Sequence, residues 1–396
     1  MNAETVREFE ALEAQAQKLM ALFISAGHEA VAPALIQPAN IYLDVIGETL
    51  RARSYVFQDP NNQELCLRPD LTVPTCLLHL ERADELTGIS KYCYNGTAFR
   101  FQPNDAGFAH PREFRQLGVE TFGGDDLEQI EADTVALIQQ GLTGAGLEQF
   151  QLHIGDLGIL RALLSAAVMP QRWRQILINQ FWRPQAFRQE INRLTHYPSA
   201  AANALPEELR TNMEAAKPEK APQILNDYYE RQGIELIGVR TLDEIAESIL
   251  LIIEDAKSKP LDPSTADLIL KYMEVDAPAK AAGARLKDLM RDQDIDITDA
   301  LETYQRRLGL LSDAGIDITH ARFSAEFGRA LEYYTGFVFE FSVPGLGPTS
   351  PVAGGGRYDT VLRQCGASEE TPAAGAAIHT ERLLAAVHGL EALVEA

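Results

Sequence analysis

Strand-forming segments lie near both ends of this chain, and a long region of helical periodicity separates them. Apolar and polar residues alternate as in β-strands over six segments: 55–58, 64–68, 91–101, 114–122, 149–154 and 322–343. From about 160 to 295, apolar residues instead recur at helical spacing, between joints rich in Pro and Ala. We therefore predict an α+β domain with an antiparallel sheet, built from residues 1–159 and 296–396, and a mostly helical inserted domain of residues 160–295.

Local signals support this division. Residues 4–26 carry apolar residues three or four apart, and Gly27 is placed to end the predicted helix. The turn-forming residues 59–62 lie between two strand-like segments and predict an antiparallel hairpin. A closing helix is predicted from about 376 to 393.

Composition restricts the partners and the compartment. The net charge of −22 repels phosphate backbones at long range, which argues against broad nucleic-acid binding. The sequence contains neither a membrane-length apolar run nor a signal-peptide pattern, so we expect no membrane and a cytoplasmic protein. The four cysteines, at 66, 76, 93 and 365, show no metal-ligand spacing, so we predict buried thiols and no metal site.

The segment 329–336 has the densest polar chemistry. It reads Arg-Ala-Leu-Glu-Tyr-Tyr-Thr-Gly and precedes a strand-like run. Arg329 could pair with a carboxylate in a planar fork, while Tyr333 and Tyr334 orient a polar group of a small zwitterion. A strand entrance with a surface ion pair explains the same residues, and this segment alone favours that simpler interpretation.

Two further clusters carry polar side chains at the ends or on one face of predicted strands. Asp70 and Thr72 stand where a strand gives way to a helix, so they could accept hydrogen bonds from an ammonium group or simply cap the helix. Arg100 ends one strand, and Gln116 and Glu120 share one face of the next. A ligand site and a solvated sheet face both fit this pattern.

Two glycine-containing segments are weaker signals. Residues 352–359 include three consecutive glycines that could let the backbone approach a ligand, but they match no phosphate-binding motif. Residues 375–382 read as a strand running into a helix, where Arg382 could lie over a ring or a phosphate, or could be an ordinary surface arginine. The residues alone thus predict an α+β protein with candidate small-ligand residues.

The order of these segments resembles the catalytic domain of histidyl-tRNA synthetase, a class II aminoacyl-tRNA synthetase. Segment 329–336 is similar to that family's Arg-Gly-Leu-Asp-Tyr-Tyr-Thr-Gly signature, and segment 67–72 to its Leu-Arg-Pro-Glu-(Gly)-Thr motif. Arg100 with 112–120 resembles motif 2, and 375–382 resembles motif 3. The resemblance implies a class II synthetase-like antiparallel sheet flanked by helices.

The resemblance also implies a histidine pocket. Three residues would bind the ammonium group of histidine: Asp70, Thr72 and Gln116. Arg329 would bind its carboxylate, with Arg100 nearby. Three more would form the imidazole subsite: Glu120, Tyr334 and, in support, Tyr333. These groups are complementary to both charged ends of the amino acid and to an imidazole N–H.

Departures from the family pattern alter the implied function. The acid and the second Arg of motif 2, which position ATP in the family, are replaced by Gln102 and Pro103. His379 stands where motif 3 has its second Gly, and Asp70 replaces a longer Glu. The sequence ends at residue 396, just after motif 3, so we expect no anticodon-binding domain and no tRNA partner.

This pattern resembles the regulatory subunits of ATP phosphoribosyltransferase in histidine biosynthesis. The resemblance implies a non-catalytic chain with no catalytic residues and no cofactor, for which histidine is an allosteric ligand. It implies pairing with a short-form catalytic subunit, self-dimers within a hetero-octamer, and histidine-dependent feedback inhibition and activation. Two alternatives stay open. One is a synthetase-like enzyme that activates histidine with ATP, since Arg100, Arg329 and Arg382 are retained; the other is a histidine-binding module with a different partner.

Overall fold

The structure, a computed structural model, describes residues 5–45, 48–82, 88–102, 110–235, 241–291, 295–328, 332–347 and 349–388. The chain forms two compact units. The first combines residues 1–162 with 273–396, and the second comprises residues 163–272. Both ends of the chain thus build one unit, and a continuous internal segment builds the other.

Twelve strands are described: β1 Glu29–Ala30, β2 Ile36–Pro38, β3 Tyr55–Gln58, β4 Glu64–Leu67, β5 Ser90–Phe99, β6 Glu113–Phe122, β7 Gln151–Asp156, β8 Asp276–Pro278, β9 Arg322–Ser324, β10 Phe337–Ser342, β11 Ala353–Arg357 and β12 Ala373–His379. Nine of them form the main sheet, in the order β1-β5-β6-β12-β11-β10-β7-β9-β8, and β2-β4-β3 form a small second sheet. Neighbours in the main sheet are antiparallel except β1 with β5 and β7 with β9. The predicted α+β class is confirmed.

Seventeen α-helices are described: α1 Val6–Ser25, α2 Ala39–Val45, α3 Glu48–Arg51, α4 Thr72–Glu81, α5 Leu127–Gly144, α6 Leu157–Ala166, α7 Gln171–Gln180, α8 Pro184–His196, α9 Ala200–Asn203, α10 Glu207–Ala215, α11 Ala221–Gln232, α12 Leu242–Asp255, α13 Pro263–Met273, α14 Ala279–Met290, α15 Thr298–Asp313, α16 Val361–Gln364 and α17 Thr380–His388. None of the described helices is long and apolar enough to cross a membrane.

Helix α1 shows how the sequence specifies the first unit locally. The Thr5 hydroxyl accepts from the Glu8 N–H, and the Glu8 carboxylate accepts from the Thr5 N–H at 2.7 Å. This reciprocal cap satisfies two amide groups that the helix itself leaves unbonded. Its apolar stripe, including Leu19 and Phe23, is buried, and Gly27 follows the helix at φ +88°, a conformation that glycine adopts without steric cost. The predicted helix over 4–26 agrees with the structure.

The second unit is built from helices that bury one face each. Its core cluster comprises Leu209, Met213, Ala221, Leu225, Ala246, Ile249 and Ile253. Helix α12 begins with the same reciprocal cap as α1, between Thr241 and Glu244. Helix α11 ends at Gly233 in the left-handed conformation.

The structure moves one boundary of the predicted insert. The prediction ended the helical insert at 295, whereas the second unit ends at residue 272. The segment 273–295 belongs to the first unit because β8 pairs with β9 at the edge of the main sheet. A three-residue strand is too short to produce a visible alternation of apolar and polar residues.

Two glycine-containing segments also differ from their predictions. The closing helix begins at Thr380, not near 376, because residues 373–379 form β12; residues 389–393 lie outside the described chain. The triple glycine lies within strand β11 in the middle of the sheet. A Cβ at Gly355 would meet the Gly375 carbonyl oxygen at 2.1 Å, so the glycines allow close approach of a neighbouring strand.

Between β9 and β10 the predicted continuous strand is interrupted. The prediction extended one strand from 322 to 343, but among the described residues of this range only 322–324 and 337–342 form strands. The intervening segment carries Tyr333 and Tyr334. The rings of Tyr333 and Tyr334 are buried, and packing of these rings takes precedence over the strand propensity of the segment.

Candidate functional site

A cavity of about 430 Å³ opens in the first unit. Six of the eight residues predicted to bind histidine line it: Asp70, Thr72, Arg100, Gln116, Tyr333 and Tyr334. Glu120 is not among the lining residues, and Arg329 lies outside the described residues. Segments far apart in the sequence therefore meet at one cavity, whose size is typical of small-molecule sites.

The start of helix α4 places two polar groups in the cavity wall. The Asp70 carboxyl is only 2% exposed, and its Oδ1 accepts from the Val73 N–H at 3.4 Å, as in a weak helix cap. The Thr72 hydroxyl makes no cap and donates to Glu120 Oε1 at 2.7 Å. The helix-cap interpretation therefore fits Asp70 in part, and Thr72 points to the buried carboxylate.

Strand β6 supplies the next two groups from one face. Gln116 lies opposite His379, and Glu120 opposite Gly375, on β12. Gln116 is 4% exposed, and its Oε1 is buried without a hydrogen-bond partner. A buried acceptor of this kind is costly unless a ligand or a water satisfies it.

Glu120 lies beneath the cavity floor, with no exposed surface. Its Oε1 accepts from Thr72 and, at 2.9 Å, from the Tyr94 hydroxyl, and its Oε2 accepts from the Tyr358 hydroxyl. Burial raises the pKa of this carboxyl to about 7, although the three hydroxyl donors lower it, and the Asp70 carboxyl adds a further upward shift. Among the residues that the structure describes, none forms an ion pair with this buried acid, which contacts the Thr72 and Tyr358 side chains of the cavity lining.

Two glycines make room for this acid. A Cβ at Gly375 would lie 1.6 Å from Glu120 Oε2, and a Cβ at Gly118 would lie 2.5 Å from the Tyr94 hydroxyl oxygen. Any larger residue at either position would displace the carboxylate or its donor. Glycine at these two positions is a requirement of the site, independent of backbone conformation.

Sequence reasoning missed Tyr358 and Tyr94. Tyr358 lines the cavity, with its ring centroid 5.7 Å from that of Tyr333 and 6.4 Å from that of Tyr334. Burial raises the pKa of the Tyr358 and Tyr333 phenols well above their usual value, so both stay neutral. Tyr358 stood beside the triple glycine in the sequence, and Tyr94 stands opposite Gly118 in the β5–β6 register. A Gly–Tyr pair on adjacent strands was the available signal, and it required knowledge of the register.

The outer part of the cavity is rich in arginine. Arg53, Arg100 and Arg382 all line it. Arg100 donates to the Pro69 carbonyl at 2.8 Å, and its guanidinium lies 5.1 Å from the centroid of the Phe114 ring. Burial lowers the pKa of His110, and the nearby Arg382 and Arg53 lower it further. The partly exposed lining thus offers three guanidinium groups to a carboxylate, beside the carboxyls of Glu340 and Glu381. The buried lining offers the Asp70 carboxyl to a cationic group.

The side chains that would face a nucleotide are engaged within the protein. The His379 ring packs on the Phe114 ring, with centroids 5.3 Å apart. Arg382 donates to the Pro351 carbonyl at 2.9 Å and lies 3.3 Å from His110 Nδ1. The His379 ring therefore has an aromatic neighbour within the protein, and both terminal nitrogens of Arg382 have partners there.

The described part of the chain contains no recognisable metal-binding site. Its histidine, cysteine and acidic side chains form no group of three that could hold an ion. The four cysteines are buried and unpaired, and burial raises the pKa of each thiol.

Comparison with known proteins agrees with the geometry. A family model described as Histidyl-tRNA synthetase matches residues 5–232 and 254–383. The ATP phosphoribosyltransferase regulatory subunit of Chelativorans sp. is 32% identical over 356 residues, covering 88% of this chain and 91% of the relative. The protein of the same name from Agrobacterium fabrum is 32% identical over 361 residues, covering 89% of this chain and 91% of the relative.

Solved structures share the fold. A Bacillus halodurans crystal structure, described as an ATP phosphoribosyltransferase regulatory subunit/histidyl-tRNA synthetase, matches with a TM-score of 0.69 and 19% identity, over 98% of this chain and 82% of that one. The histidyl-tRNA synthetase of Nostoc sp. matches with a TM-score of 0.61 and 16% identity, over 99% of this chain and 76% of that one. These matches confirm the predicted class II synthetase-like sheet flanked by helices.

Proposed function

Since the chain belongs to the family of ATP phosphoribosyltransferase regulatory subunits, which have the histidyl-tRNA synthetase fold, we propose that its cavity binds free histidine as an effector. The chain itself is non-catalytic. Bound histidine would set the activity of a separate short-form catalytic subunit, giving activation without histidine and feedback inhibition with it.

The convergence of distant residues on one polarised cavity carries this proposal. Asp70, Thr72 and Gln116 place acceptors at the inner end, where an ammonium group would bind. Arg100 places a cation toward the outer end, and Arg329 would join it at the carboxylate. Such a charge arrangement is complementary to an amino acid, and Glu120 lies below the floor where an imidazole would point.

The same cavity argues against ATP-dependent activation of the bound amino acid. His379 already packs on Phe114, and Arg382 is held by Pro351 and His110. Gln102 also stands where the synthetases have an acid, and it is buried. The site therefore fits recognition of histidine better than its chemical activation.

Membership in the family of regulatory subunits implies a catalytic subunit as the partner of this chain. A regulatory subunit acts on a catalytic chain, which here would be a short-form ATP phosphoribosyltransferase in the cytoplasm, within a hetero-octamer containing dimers of this chain. Regulation of this kind needs a coupling free energy of only about 1–3 kcal/mol between the histidine cavity and the partner surface.

Two measurements test the proposal directly. Isothermal titration calorimetry should show histidine binding, and ATP added at millimolar concentration should give no binding heat. Mixing the chain with a purified short-form phosphoribosyltransferase should give a complex on size-exclusion chromatography with light scattering, and histidine should inhibit that complex. A mixture that neither assembles nor changes activity would indicate a different partner.

A synthetase-like enzyme is the alternative function, because Arg100 and Arg382 both line the cavity. Histidine-dependent exchange of pyrophosphate into ATP measures amino-acid activation directly. Clear exchange by the isolated chain would overturn the regulatory proposal. Exchange at the level of a buffer blank would leave the effector role as the function of this cavity.

A further inference from the structure

A second cavity lies on the face of the main sheet that is turned away from the first one. Gln116 of β6 lines the first cavity, and Thr121 stands an odd number of positions further along the same strand, so its side chain points to the other face. Lys91 of β5 lies opposite Thr121 and shares that face. Both side chains line a cavity of about 280 Å³ beside helix α5. The two cavities have no lining residue in common.

Two polar side chains are buried in the wall of this second cavity without hydrogen-bond partners among the described residues. His28 is 8% exposed, and its Nδ1 is a buried atom that has no partner. Thr121 is 4% exposed, and its hydroxyl forms no hydrogen bond with a described residue. Buried polar groups that stay unsatisfied cost free energy, which a polar ligand or a water molecule recovers.

The second cavity also contains two opposite charges that are not paired. Lys91 is the cation of its described lining, and Asp133 of α5 is the acid. No ion pair joins Lys91 to a described residue, and the Asp133 carboxylate accepts from the Gln129 amide at 2.7 Å. Burial and the charge of Lys91 lower the pKa of His28 to about 4, against an upward contribution from the Phe23 backbone, so the ring is neutral at pH 7.

Helix α5 supplies an apolar wall to the second cavity. Ile130, Ala136 and Leu137 line it, and each of them is partly exposed. The Thr134 hydroxyl donates to the Ile130 carbonyl at 2.7 Å, so its hydrogen is already used within the helix. An apolar ligand group placed against this wall would remove exposed apolar surface from water.

A third cavity, also of about 280 Å³, shows that charged lining residues alone do not indicate a ligand. Its lining includes Arg307 with Asp156 and Arg357 with Asp359. Each of these arginines pairs with its acid at an N···O distance of 2.6 Å. The charges of the third cavity are thus balanced within the protein, whereas Lys91 in the second cavity has no acidic partner among the described residues.

We propose that the second cavity binds an α-amino acid with an apolar side chain. Lys91 and the Thr121 hydroxyl would hold its carboxylate, and Asp133 would accept from its ammonium group. The side chain of the amino acid would pack against Ile130 and Leu137. This site lies outside the cavity proposed for histidine and does not depend on it.

A phosphate ester matches this cavity less well. The described lining offers one cation, and Asp133 would repel a second negative charge. The residues that α5 contributes begin at Ile130, beyond the free N–H groups of its first turn, so the helix end does not supply backbone donors. A zwitterion satisfies both charges of the lining at once.

Isothermal titration calorimetry of the full chain tests the ligand class with three probes of matched shape. L-Leucine carries both charges, 4-methylpentanoate lacks the ammonium group, and 3-methylbutylamine lacks the carboxylate. We expect leucine to bind, and each analogue to bind at least about tenfold more weakly, because each has lost a charged hydrogen bond. An analogue that binds as tightly as leucine would overturn the assignment of a zwitterion. No binding of millimolar leucine, valine, isoleucine or methionine would overturn the site.

A matched pair of lysine variants determines where leucine binds. Lys91→Met removes the cation of the second cavity and keeps a long side chain, whereas Lys18→Met removes an exposed lysine of α1 that does not line this cavity. We expect Lys91→Met to weaken leucine binding about tenfold or more and to leave histidine binding unchanged. Lys18→Met should alter neither. Thermal melts verify that both variants are folded.

Competition with histidine separates this inference from the proposed function. Leucine should stay bound to the wild-type chain when histidine is added to saturation. Displacement of leucine by histidine, together with unchanged leucine binding in Lys91→Met, would place leucine in the first cavity and overturn the second site. A chain that binds leucine through Lys91 but binds no histidine would overturn the proposed function and leave this site intact.

Discussion

Two buried clusters of acidic side chains in the first unit are built in opposite ways. In one, Arg307 lies between Glu131 and Asp156, with N···O distances of 2.5 and 2.6 Å, and its guanidinium lies 4.8 Å from the centroid of the Phe337 ring. In the other, Glu120 is held by three hydroxyls and forms no ion pair with a described residue.

The difference separates a structural cluster from a binding one. Burial lowers the pKa of the Arg307 guanidinium, but the two carboxylates more than offset this, so the net shift is upward and the cation is firmly held. Both acids of that cluster share one cation from the protein, although Glu131 Oε1 has no hydrogen-bond partner and burial raises the pKa of Glu131 to about 7. Among the described residues, the Glu120 cluster contains no cation, and it adjoins the cavity that we propose to bind histidine. A buried acid that the fold leaves without a counterion is therefore a better indication of a ligand site than burial alone.

Removing the cation of the Arg307 cluster should cause the largest change in the free energy of unfolding. Arg307→Met leaves two carboxylates buried without a partner, and we expect a loss of about 3–5 kcal/mol in the free energy of unfolding. Urea denaturation followed by circular dichroism measures this. Histidine affinity of the folded fraction should be unchanged. A loss under about 1 kcal/mol would mean that this cluster is not structural.

Removing the charge of the Glu120 cluster should weaken histidine binding without lowering the free energy of unfolding. Glu120→Gln is expected to cost about 1.5–3 kcal/mol of histidine binding, since it removes the charged acceptor of the proposed imidazole subsite. The free energy of unfolding at pH 8 should stay level or rise, because an ionised carboxyl no longer has to be buried. Calorimetry and urea denaturation test the two parts. Glu131→Gln is the matched control and should show the reverse pattern.

The carboxylate end of the ligand provides the third test. Arg329→Ala should weaken histidine binding by about 1.5–3 kcal/mol through loss of a charged hydrogen bond. Fluorescence or calorimetric titration with histidine measures this. If histidine binds the variant as tightly as the wild-type chain, the assignment of the carboxylate subsite is wrong.

Substitution of Arg306, an exposed arginine next to Arg307, should cause the smallest loss of stability. Arg306 pairs with Asp126 and Glu128 at the surface. Arg306→Met should cost less than about 1 kcal/mol of stability, because solvent screens exposed ion pairs. Urea denaturation in parallel with Arg307→Met gives the comparison directly. Equal losses in the two variants would show that burial does not distinguish these arginines.

Much of the first unit could be predicted from local pattern. The α1 helix, the hairpin of β3 and β4, and strands β5 and β6 all agree with segments whose apolar periodicity and turn residues are visible in the sequence. The secondary-structure predictions were wrong where tertiary packing, and not the local sequence pattern, determines the structure. The triple glycine of β11 was not predicted as a strand, and β8 was assigned to the helical insert.

The residues of the candidate site could largely be predicted from the sequence, but their arrangement in space could not. Resemblance to a family identified eight positions, and six of them line one cavity. It did not identify Tyr358, which lies 238 positions from Glu120 in the sequence and contacts its carboxylate. It also did not show that Glu120 lies below the floor, because burial depth depends on the register of β6 against β12.

The sequence by itself determined the α+β division, the helix α1 with its cap, and the residue types that could bind a zwitterion, since these depend on periodicity and motif. Only the tertiary structure decided which buried acids receive a counterion. Arg307 contacts Glu131 across 176 positions of sequence and Asp156 across 151, whereas the described hydrogen-bond partners of the Glu120 side chain are three hydroxyls. Such contacts follow from strand register and helix packing, which no local pattern encodes, and they decide where a ligand's charge is needed.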